Sequence, residues 1–180
     1  MIAGLAGRRI DAIDADPIRF PETREDVVAS RIAVALKERD VTTLVCAAAC
    51  GSDLLALDAA QREGIATHIV LPYGAATFRR TSVVDRGPTW GAAFDRLIGD
   101  AEARDALSIL GLDPDDKRVY EKTNDGILDE ALALAGNEPA RVIALAVWDG
   151  EIVGRTDYTA DFTTAACTRG IAVQSIPILQ

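Results

Sequence analysis

Histidine is almost absent from this chain: His68 is the only one in 180 residues. That scarcity disfavours both a histidine-built metal site and a catalytic triad. His68 falls inside the apolar run Thr67–Leu71, where a structural role is the plainer expectation. Cysteine is scarce too. Cys46, Cys50 and Cys167 form an odd set, which is no disulfide framework, and Cys46 and Cys50 lack zinc-ligand spacing. No metal and no cofactor is expected. No apolar run is long enough to cross a bilayer and the N-terminus lacks a signal-peptide pattern, so the expectation is a cytoplasmic protein without a membrane partner. Positive charge is in deficit: 19 Lys and Arg against 28 Asp and Glu give a formal net charge of -9. Such a surface disfavours nucleic acid as a partner, while a few arginines can still dominate the field inside a pocket for a small anion.

What remains is an ordinary globular composition, 49% hydrophobic and 26% charged, in a length that suits one domain spanning 1–180. The informative stretch is Val41–Tyr73. Thr42–Ala47 is a β-branched apolar run, a small-residue turn leads to Gly51-Ser52-Asp53, Leu54–Glu63 has a helical pattern that stops at Gly64, and Thr67–Leu71 is a second apolar run. Strand, tight turn, helix and strand make one βαβ unit. Ala48, Ala49 and Gly51 allow close backbone approach, and the following helix directs free N–H groups and its positive dipole end at the same place. A phosphate suits such a turn. Close helix–sheet packing is the alternative use of the same small residues. Asp53 has two roles open to it, as N-cap of the helix or as a pocket carboxylate for ribose hydroxyls.

The rest of the chain continues the alternation. Met1–Leu5 is a candidate first strand, followed by Gly7-Arg8-Arg9 and a long Asp- and Pro-containing loop to Arg19-Phe20-Pro21. Thr23 with Asp26 resembles a capping box for a helix running to about Arg39. After Pro72-Tyr73-Gly74, the segment Phe78–Val83 carries paired arginines and Ser82 and reads as a loop at the carboxyl end of a strand. Trp90–Ile98 has helical spacing, which leaves Trp90 either in the core or over a base. Ala106–Leu110 is a further strand and Val119–Ala135 a helix, with Tyr120 and Asn124 one turn apart near its start. Val142–Val147 reads as a strand buried on both faces and closes on Trp148-Asp149-Gly150. A helix over Thr156–Arg169 and a strand over Ile171–Ile176 finish the chain. The expected fold is α/β: a three-layer, Rossmann-like parallel sheet of four or five strands with helices on both faces.

Several short motifs occur in a fixed order: Gly7–Asp11, Arg19–Pro21, Gly51–Asp53, Leu71–Tyr73, Phe78–Val83, Tyr120–Asn124 and Val147–Gly150. In this series the chain resembles the Rossmann-like SLOG superfamily, which joins the DNA-processing Smf proteins to the Lonely Guy phosphoribohydrolases. It is most similar to an uncharacterised bacterial branch found alone or appended to nucleotide cyclase and tetratricopeptide-repeat proteins. The resemblance implies a pocket for a nucleotide or nucleotide derivative; the acidic surface, the missing catalytic histidine and the phosphate-suited turn make a sensor-type binding module the expectation. The alternative is a nucleotide-processing hydrolase or N-glycosidase, with Asp53 or Asp149 as acid/base. The Lonely Guy segment Pro-Gly-Gly-x-Gly-Thr-x-x-Glu is missing, so that family's hydrolysis does not carry over.

The expected ligand-binding set is Gly7, Arg19, Ala48, Ala49, Gly51, Ser52, Asp53, Pro72, Tyr73, Arg79, Ser82, Trp90, Tyr120, Asn124 and Asp149. Within it, Ala48–Asp53 cradles phosphate, Arg79 first and Arg19 second supply the cations, and Tyr73 or Trp90 covers the base. No catalytic residue is assigned, and whether the chain forms a homo-oligomer is left open.

Overall fold

The computed structural model describes residues 1–152 and 157–180. Six parallel strands form one sheet: β1 (Ile2–Gly7), β2 (Thr43–Cys46), β3 (Ala66–Leu71), β4 (Leu107–Ile109), β5 (Val142–Val147) and β6 (Ala172–Ile176), in the order β4-β3-β2-β1-β5-β6. The count exceeds the expected four or five because both short edge strands, β4 and β6, are paired. β1 is central. Ile2–Gly4 pair with Thr43–Val45 on one side, and all of Ile2–Gly7 pairs with Val142–Val147 on the other. Pairing with the fully buried run of β5 carries β1 through Ala6 and Gly7, beyond the expected end at Leu5.

Helices α1 (Glu25–Glu38), α2 (Ser52–Arg62) and α4 (Thr89–Ala103) pack together over one face, and α5 (Val119–Leu134) and α6 (Tyr158–Thr168) over the other. This is the three-layer α/β arrangement. It buries apolar side chains such as Leu5, Leu44, Ile69, Leu128 and Leu145 on both sides of the sheet. Among the described residues no helix is long and apolar enough to cross a membrane. The chain builds outward from β1 to β4, then returns to the far side of β1 as β5. The direction of winding therefore changes between β1 and β5, and the crevice outside the carboxyl ends of these strands is where open α/β sheets bind ligands.

Two local expectations are corrected. Phe78–Val83 is not a loop: Ala75–Ser82 forms α3, whose buried Phe78 and Ser82 lie four residues apart on one helical face. The Thr23–Asp26 capping box does not form. Pro21 opens a 3-10 turn at Glu22–Arg24 that runs straight into α1, so Thr23 lies inside the turn and no side chain caps the helix. The expected start of the last helix at Thr156 lies outside the described residues, and Asp157 caps α6 by accepting the Thr159 and Ala160 amides.

Candidate functional site

The site begins with two glycines. After β1 the chain continues as Arg8–Ile10 and pairs antiparallel with the turn that follows β2, through an Arg9–Gly51 bridge. Ser52 donates its amide to the Arg8 carbonyl at 3.2 Å, and Ile10 donates to the Cys50 carbonyl at 3.4 Å. Gly51 has φ of +97°, and a Cβ there would lie 2.6 Å from the Ile10 nitrogen. At Gly7 a Cβ would lie 2.6 Å from both Ser52 Oγ and Val147 Cβ. Gly51 is thus required by close backbone packing, and Gly7 by the Ser52 and Val147 side chains packed against it.

That packing changes the reading of the small-residue turn. The Ala49 amide donates to Asp53 Oδ2 at 3.1 Å, the Cys50 amide to the Ser82 carbonyl at 3.0 Å, and the Ser52 amide to Arg8. Ser52 Oγ also donates to the Arg8 carbonyl, at 2.7 Å. The protein's own oxygens thus take up amides that the sequence reading offered to a phosphate.

Beside this turn lies a cavity of about 540 Å³, of the size that holds a small ligand. Its walls come from the end of β1 and its extension, the loop of residues 11–19, Ala47 and Ala49 after β2, Phe78 and Ser82 of α3, Arg86 just beyond it, and the facing parts of α5 and α6. This is the sheet edge next to the switch point. The loop is closed at its neck, since the Asp11 amide donates to the Phe20 carbonyl at 2.9 Å and the Asp11 carboxylate accepts the Arg19 and Phe20 amides. Phe20 is fully buried and anchors the returning end.

Of the expected set, Gly7, Arg19, Ala49, Asp53, Ser82, Tyr120 and Asn124 line this cavity. Asp53 takes a position between its two anticipated roles: Gly51 is the N-cap, and the Asp53 carboxylate reaches back to the Ala49 amide while facing the cavity. Burial raises its pKa to about 7, against the opposing pull of the Ala49 amide and Arg9. Asn124 donates to the Tyr158 carbonyl at 2.8 Å and ties α5 to α6. Tyr120 stacks at a tilt on Tyr158 with ring centroids 5.0 Å apart, and burial raises its phenol pKa.

The remaining expected residues do not line the cavity, each for a physical reason. Ala48 and Ser52 are buried in the packing under α2. Gly51 faces the Ile10 backbone. The Pro72 carbonyl accepts the Leu112 amide, and Tyr73 is buried with its hydroxyl 2.9 Å from Thr81. Arg79, on α3, forms a two-pronged ion pair with Asp95 of α4 at 2.7 and 3.0 Å and lies against Gly91. Trp90 is buried in the first turn of α4. Asp149 accepts the Ile178 and Leu179 amides and holds the C-terminal tail.

Outside the expected set, the cavity is also lined by the arginines Arg8, Arg9 and Arg86, the acids Asp11, Asp16 and Asp157, and the aromatics Phe78 and Tyr158. Arg8 is the least available. It donates to Asp157 at 2.5 Å, where the Asp157 side chain is 1% exposed, and it lies 5.8 Å from the Trp148 ring. Arg9 donates to Asp85 and, at 3.4 Å, to Cys50 Sγ. Burial works against the charge of Arg9, yet Cys50 and Asp85 raise its pKa, and burial pushes the Cys50 thiol up, away from a reactive thiolate. Arg8 and Arg9 follow a central parallel strand directly, which is a legible sign of a ligand edge. Nothing in the local pattern places Arg86 or Tyr158 there. His68 lies in β3, and Ser108 Oγ at 3.0 Å and Glu130 at 3.5 Å both approach its Nε2.

No protein-family model and no curated protein matches the chain.

Proposed function

We propose that this cavity binds a nucleotide or nucleotide derivative and that the domain is a ligand-binding module. The observation that carries the reading is the composition of the cavity at the carboxyl edge of β1 and β2. Arginines 9, 19 and 86 share it with the Tyr120–Tyr158 aromatic pair and the carboxyl group of Asp53. A nucleotide brings a phosphate for guanidinium forks, a flat base for an aromatic face and ribose hydroxyls for a carboxyl group. Asp11 and Asp16 also lie around the cavity and set a limit on its positive charge, which favours few phosphates over many.

A second reading is favoured by one observation. An aspartic acid with a pKa near 7 inside a cavity is suited to acid/base chemistry near neutral pH, as a nucleotide hydrolase or N-glycosidase requires. Release of free base from a bound nucleoside monophosphate, abolished by Asp53→Asn, supports that reading; binding without turnover supports the binding module.

The test of binding is a thermal-shift screen against nucleotides, cyclic dinucleotides and NAD derivatives. A ligand at 100 times its Kd stabilises the fold by about 2.7 kcal/mol. For a domain of this size that is a rise in Tm of about 5–10 °C. A screen in which no nucleotide shifts the Tm contradicts the proposal.

A further inference from the structure

Arg9 and Arg86 both line the cavity, and they converge on one carboxylate. Arg9 Nη2 donates to Asp85 Oδ1, and Arg86 Nε stands 3.6 Å from Asp85 Oδ2. Both arginines face the cavity. Asp85 sits in the 3-10 turn Val84–Arg86, with about a third of its side chain exposed. It reaches Arg9, 76 residues away in the chain, through a solvent-exposed contact. Arg9 is also incompletely used: its Nε is buried without a hydrogen-bond partner among the described residues.

Two guanidinium groups held about a single carboxylate make the arrangement that a phosphoryl group takes up in arginine-built sites. The nearby turn is a poor competitor, because the Ala49, Cys50 and Ser52 amides are donated within the protein. We infer that Arg9 and Arg86 form the phosphoryl subsite of the cavity, and that Asp85 is an internal counterion which the ligand displaces. This inference rests on the nucleotide reading of the same cavity. Asp85 keeps the two arginines paired when no anion is bound, and its exposure lets it turn out into water when one arrives. A phosphoryl group carries up to two charges against the single charge of Asp85. The subsite thus admits phosphorylated ligands and rejects carboxylates, which offer no advantage over the resident group.

Calorimetric titration of inorganic pyrophosphate and of ADP against the wild type, Asp85→Asn and Arg86→Ala tests this, with thermal melting to establish that each variant is folded. Asp85→Asn is expected to bind pyrophosphate at least about 5-fold more tightly than the wild type, and Arg86→Ala at least about 5-fold more weakly. Equal or weaker pyrophosphate binding by folded Asp85→Asn overturns the inference. If ADP binds the wild type and Asp85→Asn equally, the displaced counterion is ruled out while the nucleotide reading stands. If neither pyrophosphate nor ADP binds any of the three proteins, the inference is wrong, and the thermal-shift screen alone decides the nucleotide reading.

Discussion

The Asp53 carboxylate accepts the Ala49 amide at 3.1 Å, reaching back from the first turn of α2 to the segment that leaves β2. Burial makes this acid weak, with a pKa of about 7 against an ordinary 3.8. The native state therefore holds the proton more tightly than the unfolded chain does. The associated stability is fully present below about pH 4 and is lost as the pH rises through about 7. The full difference is on the order of 4 kcal/mol. Asp53→Asn keeps an oxygen for the Ala49 amide and does not ionise. Its stability relative to the wild type should rise between pH 5 and pH 8, measured by urea unfolding at both values. A difference that does not change with pH means Asp53 ionises normally.

Gly51→Ala should be among the most damaging single-methyl changes in the chain. A positive φ of this kind costs about 1–3 kcal/mol for an alanine, and the added Cβ meets the Ile10 nitrogen at 2.6 Å. Gly64→Ala is the control. Its φ is +70°, but a Cβ there has open space, so only the conformational cost of about 1–2 kcal/mol applies. Urea midpoints should rank Gly51→Ala well below Gly64→Ala, and equal midpoints contradict the close backbone approach.

Arg79→Ala should leave nucleotide affinity unchanged. The two-pronged pair with Asp95 keeps this guanidinium on the α3–α4 surface. The proposed cationic partner is Arg9, whose replacement by alanine should weaken binding. Calorimetry on both variants with the best ligand from the screen decides between them. A loss on Arg79→Ala alone places the ligand on the other side of α3.

The alternation of strands and helices was legible because each buried strand is a short apolar run and each helix has a punctuating glycine or proline nearby. Val142–Val147 matches its expected limits, since burial on both faces leaves no polar residue to blur them. α3 was hidden because eight residues carry too little periodicity, and its two arginines gave it the look of a loop. At the site, Asp53, Tyr120 and Asn124 could be placed from their positions at strand ends. The small-residue turn could not be interpreted the same way. Small residues suit a phosphate and a crossing strand equally, and only the pairing of Arg8–Ile10 with Cys50–Ser52 distinguishes the two.

Tyr158→Ala should separate the base from the phosphate. Tyr158 and Tyr120 form the aromatic wall at 5.0 Å, and stacking of a base on such a ring is worth about 1–3 kcal/mol. Affinity for a nucleoside monophosphate should fall by roughly 5-fold to 150-fold. Pyrophosphate, which has no base, should bind the variant as it binds the wild type. An equal loss for both ligands means Tyr158 supports the fold of the cavity and does not contact the base.

The central claim, that a nucleotide occupies the cavity beside β1, is tested most directly by amide chemical-shift mapping during titration of the best nucleotide from the screen. The account predicts perturbations concentrated at Arg8–Asp11, Ala47–Asp53 and Tyr120–Asn124, with the Arg79–Asp95 surface unmoved. Perturbations confined to the Arg79–Asp95 surface, with the amides around Asp53 and Tyr120 unchanged at saturation, would contradict it.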